Sequence, residues 1–206
     1  MKKEALLLDL DNTIFPVSSI GDELFAPLFR LILGTGEYQG DFEVMKKHIM
    51  SKPFQWVARK YHFSDSLKYN SFQLLENLTY NKPIQPFEDY SEIKKLALQK
   101  FLITAGFTRM QQSKIQNLGI QKDFSEIFII DSMKTARTKK DFFKDIAEKY
   151  HFQAEQVLVV GDDYDSEIKF AKELGMGAIL YDKAGLNKDL DLPEKIMDFR
   201  DLRKYI

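Results

Sequence analysis

The chain has 206 residues, 44% of them hydrophobic and 30% charged, which suits one packed domain or a core with a modest insertion. Thirty Lys and Arg against thirty-one Asp and Glu leave a net charge of −1, excluding a global field that would draw in nucleic acid or an anionic membrane. With no cysteine, disulfides, zinc–thiolate sites and thiol nucleophiles are excluded together, and a reducing, cytoplasmic setting is expected.

Two lysines before the apolar run Ala5 to Leu8 begin like a signal peptide, but Asp9 and Asp11 cut the run far too short. That run reads as a first strand, Ala5 to Asp9. From about Val17 to Tyr90 no strand pattern is evident. Leu24, Phe25, Leu28, Phe29 and Ile32 form a helical apolar face that stops near Gly34 and Gly36. Further helices are expected over Asp41 to Met50, Pro53 to Tyr61 and Ser64 to Leu78. Pro83 and Pro86 mark a stiff return linker. Strands are then expected at Lys100 to Thr104, Glu126 to Ile130, Gln156 to Val160 and Gly177 to Leu180. Between the later ones, Phe142, Phe143, Ile146, Ala147 and Tyr150, and then Ile168, Ala171 and Leu174, repeat at helical spacing. Short apolar strands alternating with helices predict an α/β fold: a Rossmann-like, doubly wound parallel sheet. Residues 1–16 and 91–206 make that core, and residues 17–90 an inserted α-helical cap. The cap holds thirteen of the twenty-seven aromatics, as a small helical unit needs to build its own core.

Four segments carry residues fit for chemistry. Asp9 and Asp11, in Asp-Leu-Asp-Asn-Thr, end a strand, where ligands of open α/β sheets collect. One carboxylate there could attack an electrophile while its neighbour shuttles a proton, although an Asp-Asn turn would have the same sequence. Thr104 ends the second strand and could hold phosphoryl oxygens with the backbone beside it, or simply close the strand. Lys139 and Lys140 begin a helix, where a lysine could neutralise anions or only be solvated. Gly161-Asp162-Asp163-Tyr164-Asp165-Ser166-Glu167 concentrates four acids in six residues, which calls for a compensating cation or donors. Oxygen ligands without nearby histidine or cysteine point to magnesium. Helix capping explains Asp165 and Ser166 well and Asp162 poorly. Gly161 is expected to let the chain turn sharply.

Together these segments resemble the haloacid dehalogenase superfamily, whose four motifs occupy these places in this order. The supporting frame Ile-Thr-Ala-Gly, Lys-Ile-Gln-Asn-Leu-Gly-Ile and Ala-Lys-Glu-Leu-Gly-Met is similar too, and the helical insertion resembles the family's smaller cap type. The resemblance implies that Asp9 is a nucleophile phosphorylated in turnover and that Asp11 protonates the leaving alcohol and then activates water. It implies that Thr104 binds phosphoryl oxygens, Lys139 orients Asp9, and magnesium rests on Asp9, the Asp11 carbonyl and Asp162. The third motif departs from the common Lys-Pro form, so Lys140 and Arg137 stay open beside Lys139. Glu167 replaces the more frequent aspartate and is expected to bind the metal through water or to hold Lys139, with Asp163 sharing the work.

A carboxylate at Asp11 argues for phosphoryl transfer over dehalogenation. The implied activity is hydrolysis of a small phosphomonoester, such as a sugar phosphate, a phosphoglycolate-like acid or a nucleoside monophosphate. A phosphomutase and a catalytically silent scaffold on the same fold are the alternatives, with Phe15, Phe54, Trp56 and Arg59 as candidate substrate contacts. No Gly-x-x-x-x-Gly-Lys loop or Gly-x-Gly-x-x-Gly fingerprint is present, so nucleotide binding of those types is not expected. Oligomeric state leaves no mark in the sequence.

Overall fold

The computed structural model describes residues 2–206; the first residue of the expected 1–16 segment lies outside them. A first strand, β1 (Ala5–Leu8), is followed by six helices: α1 (Gly21–Leu24), α2 (Ala26–Thr35), α3 (Phe42–Ile49), α4 (Phe54–Lys60), α5 (Asp65–Asn77) and α6 (Tyr90–Lys95). Then come β2 (Gln99–Ala105), α7 (Thr108–Leu118), β3 (Glu126–Ile130), α8 (Lys139–Tyr150), β4 (Val157–Gly161), α9 (Lys169–Glu173), β5 (Gly177–Tyr181) and β6 (Lys195–Ile196). All neighbouring strands run parallel, in the order β3-β2-β1-β4-β5-β6. This is the doubly wound α/β fold that the alternation implies. Among the described residues no helix is long and apolar enough to cross a membrane.

The sheet is buried on both faces because its central strands are apolar at every position. All four residues of β1 are buried. Leu6 and Leu8 point to one face, with Leu102, Leu158 and Val160, while Ala5 and Leu7 point to the other, with Phe101, Val157 and Val159. The second face is covered by Phe143 and Ile146 of α8 and Ala171 of α9. The first face continues without a break into Phe25, Leu28, Met45, Val57 and Leu67 of the helical segment. Those aromatics and aliphatics therefore extend the core of the sheet and do not form a separate one. Local signals fix the helix ends. Asp41 accepts a hydrogen bond from the Val44 amide, Ser64 from the Leu67 amide, and Gly36 ends α2 at φ 64°.

The expected helices at 41–50, 53–61 and 64–78 match α3, α4 and α5 to within two residues. Missed were β6, α1, α6 and α7. α7 was missed because half of its inward face is polar: Gln111, Ser113 and Lys114 are buried beside Met110, Ile115 and Leu118. Its apolar period is too weak to read. The strand order reverses between β1 and β4, so the segments after these two strands emerge side by side at the point where ligands bind in such sheets.

Candidate active site

Asp9, Asp11, Thr104, Lys139, Asp162, Asp163 and Glu167 all line one cavity of about 620 Å³ at the carboxyl end of the sheet. Asp9 follows β1, and its amide donates to the Val160 carbonyl of the adjacent strand at 3.1 Å. The chain then folds back sharply. Asn12 takes φ 56°, a left-handed conformation that asparagine tolerates, and its side-chain oxygen accepts from the Val17 amide at 3.1 Å.

Lys139 opens α8, whose start is set by a reciprocal Thr138–Asp141 cap. Its buried ammonium donates to Asp9 at 2.5 Å and also to Glu167. The other two candidates for this place are committed elsewhere: Lys140 bonds Glu173, and Arg137 bonds Asp145. Glu167 holds Lys139 with one oxygen and accepts from the Asp163 amide with the other, at 3.2 Å. Asp163 caps the helical turn Tyr164–Ile168 by accepting from the Asp165 amide at 2.9 Å. The cap is therefore Asp163, and neither Asp165 nor Ser166 fills that place, because the turn begins one residue before Asp165.

Gly161 is needed for a reason other than the expected sharp turn. It lies within β4, and a Cβ there would come within 2.6 Å of the Glu167 side chain. Glycine thus lets the carboxylate that holds Lys139 pack against the strand end.

Asp9 and Glu167 share this one ammonium, and Asp162 lies close enough to feel the charge of all three. Burial, partly offset by Lys139, raises Asp9 from 3.8 to about 7. Burial, reinforced by repulsion from Asp9 and Glu167, likewise raises Asp162 well above the usual carboxylate range. Burial by itself would lower Lys139, but attraction to Asp9 and Glu167 outweighs it and raises the lysine. This surplus of buried negative charge on oxygen-only donors fits a hard divalent cation. Among the described residues no three His, Cys, Asp or Glu side chains group as a metal cluster. A set of two carboxylates, Asp9 and Asp162, completed by the Asp11 carbonyl, does not require a third.

Two residues of α7 were not anticipated. Lys114, almost fully buried, donates to both oxygens of Asp11 at 3.0 and 2.8 Å. Gln111 donates to Asp11 at 3.0 Å and to the Thr104 hydroxyl at 2.6 Å. The Ala105 carbonyl, 3.3 Å from the same Gln111 nitrogen, can only accept, which fixes the amide with its NH2 toward Asp11 and Thr104. The Thr104 oxygen therefore accepts from Gln111 and keeps its own proton free to donate into the cavity. This orientation leaves Gln111 Oε1 buried without a partner, a cost of about 1 kcal/mol or more. Gly106 takes φ 149°, and a Cβ there would come within 3.1 Å of Gln111. Lys114 opens the segment Lys-Ile-Gln-Asn-Leu-Gly-Ile noted in the sequence, whereas Gln111 has no signal beyond its place on a weakly apolar helix directly after the Thr104 segment.

Asn187 was also missed. It follows β5 and donates to the Asp162 carbonyl at 2.8 Å, supporting the second acidic segment from outside. Of the expected substrate contacts, only Phe54 lines the cavity. Phe15 is wholly buried. Trp56 lies two residues along α4 from Phe54, roughly 200° round the helix, where it packs edge-on against His48. Arg59 is exposed and away from the cavity.

Comparison with known proteins is consistent with this arrangement. The family model for haloacid dehalogenase-like hydrolases matches residues 3–175. A glyceraldehyde 3-phosphate phosphatase of Methanocaldococcus jannaschii is 25% identical over 205 residues, covering 91% of this chain and 88% of that protein. A protein of the same name from Methanopyrus kandleri is 22% identical over 189 residues, covering 84% and 81%. In fold, the chain is similar to the magnesium-bound HAD-hydrolase YfnB of Bacillus subtilis, with a TM-score of 0.64 at 17% identity, covering 99% and 98% of the two chains.

Proposed function

The chain belongs to the haloacid dehalogenase-like hydrolases, and on that premise we propose that it is a magnesium-dependent phosphatase of small phosphomonoesters acting through an aspartyl-phosphate on Asp9. The observation that carries this reading is the pairing of two carboxylates in one cavity, each with its own lysine: Asp9 with Lys139 and Asp11 with Lys114. A dehalogenase does not need the second pair to expel its leaving group, because a halide leaves without a proton. A phosphate ester does, because an alkoxide leaves well only when protonated. The similarity to proteins named glyceraldehyde 3-phosphate phosphatase supports the same class of reaction.

In this reading the Asp9 oxygen not engaged by Lys139 attacks phosphorus, and the bond from phosphorus to the ester oxygen breaks. Asp11 passes a proton to the departing oxygen, releasing the alcohol. Asp11, now a base, takes a proton from water, whose oxygen attacks phosphorus while the bond to Asp9 breaks. Inorganic phosphate and free Asp9 result. Thr104 donates its free hydroxyl proton to the phosphoryl oxygens throughout, and Lys139 offsets their charge. Lys114 and Gln111 hold Asp11 at the cavity wall between these steps. Asp9, Asp162 and the Asp11 carbonyl would hold magnesium, which would supply the positive charge that an anionic phosphate needs to approach an anionic nucleophile. Residues 17–90 act as a cap over the site, excluding bulk water during the first step.

The test is phosphate release with magnesium from p-nitrophenyl phosphate and a panel of phosphorylated metabolites that includes glyceraldehyde 3-phosphate. Release that requires magnesium and disappears in Asp9→Asn is the expected result. Turnover that survives in Asp9→Asn would sink the covalent mechanism.

A further inference from the structure

Resting on the phosphatase reading, we infer that the ester's alcohol is a bulky, uncharged and largely apolar group rather than a polyol or an acid. Three observations carry the inference.

The first is room. At about 30 Å³ per water in the liquid, the 620 Å³ cavity has space for far more than a phosphate and three carbons. The phosphate end is fixed at Asp9 and Thr104, so the excess space belongs to the leaving group.

The second is charge. Among the described residues that line the cavity, the basic side chains are Lys139, Lys114, Arg137 and Lys52. Lys139 and Lys114 are buried in bonds to the catalytic carboxylates, and Arg137 is paired outward with Asp145. Lys52 is exposed at the rim. A carboxylate or second phosphate on the substrate would therefore lose its hydration and meet no buried, unpaired cation to offset the loss.

The third is the hydrogen-bonding inventory of the outer wall. Gln55 donates to Ser132 at 2.7 Å, the Ser51 hydroxyl to the Lys47 carbonyl at 2.9 Å, and the Asn12 side-chain oxygen accepts from the Val17 amide. A hydroxyl-rich alcohol would lose its hydration and find these particular donor and acceptor atoms already engaged. What the wall offers instead is Met50, Phe54, Phe107, Met110 and Phe170. Phe54 and Phe107 are joined through Phe72, with ring centroids 5.1 and 6.3 Å apart, so aromatic surface spans from the helical segment to the β2 end of the sheet. Such edges and faces suit a flat or branched hydrocarbon body.

The experiment compares alkyl esters of similar leaving-group basicity: 3-phenylpropyl phosphate against glycerol 3-phosphate and phosphoglycolate, with magnesium. The expected kcat/KM favours the phenylpropyl ester by roughly tenfold or more, the factor that burial of two methylene groups gives. Phe54→Leu and Met50→Ala should each shrink this ratio, mainly through a higher KM for the phenylpropyl ester. Partial loss of folded enzyme cannot move a ratio measured on one sample. Preference for glycerol 3-phosphate or phosphoglycolate in the wild type overturns the inference and leaves the phosphatase reading standing. Failure of the folded, magnesium-bound protein to hydrolyse any ester overturns both.

Discussion

Below the cavity, Asp9, Asp11 and Glu167 share two buried lysines; above it, Ile49, Met50 and Phe54 of the helical segment meet the same space with apolar surface. The two regions are specified differently. A carboxylate in the lower region works only with its partner in place, because an uncompensated buried charge is costly. An apolar side chain above is specified by volume and can be exchanged for another of similar size at little cost. Substitutions below should therefore act on kcat and on stability, and substitutions above on KM and on preference among substrates.

The most severe break is Asp9→Asn, which removes the nucleophile while keeping its shape. Turnover should fall by about a thousandfold or more, with an unchanged circular dichroism spectrum; an active variant would place the chemistry elsewhere. Lys139→Met comes next. It leaves Asp9 and Glu167 without their shared cation, so kcat should fall about a hundredfold and urea unfolding without magnesium should show a loss of about 3 kcal/mol. Lys114→Met should be milder. Asp11 stays partly exposed to the cavity but loses its anchor, and kcat should drop about tenfold with KM nearly unchanged; Lys114→Arg should recover part of the loss. A change confined to KM would assign Lys114 to the substrate-binding wall instead.

The last effect concerns stability as a function of pH and not turnover. Burial lifts Asp9 from 3.8 to about 7 in the folded protein. An acid with a raised folded-state pKa contributes stability that is fully present below its unfolded value and is lost as pH rises through its folded value. In magnesium-free buffer, wild type should lose stability relative to Asp9→Asn as pH rises from 3.8 to about 7. Unfolding curves of both proteins across that range check this, and a constant difference would mean that Asp9 is ionised throughout.

Much of the lower region was legible in the sequence because each part is local. Asp9 and Asp11 directly follow an apolar run, and Asp162 and Glu167 follow another. A parallel sheet brings the carboxyl ends of its strands together as soon as the runs are recognised. The upper region was legible as helices, but the faces of those helices were not. Phe54 and Trp56 lie in the same turn of α4, and only packing determines that Phe54 meets the cavity while Trp56 turns to His48.

By itself, the sequence determined the parallel α/β fold, the place of the helical insertion and the set of acids at the strand ends, since all three follow from the apolar period and from chain order. It favoured Lys139 while leaving Lys140 and Arg137 open, and it assigned no role to Lys114, Gln111 or Asn187. Tertiary structure decided among them. Which ammonium reaches Asp9 depends on where α8 is docked, and which helix face turns toward Asp11 depends on how α7 lies against the sheet. Contacts such as Lys139–Asp9 and Lys114–Asp11 join residues 130 and 103 positions apart. No local propensity encodes that closeness; it arises when the sheet and its helices close over a common core.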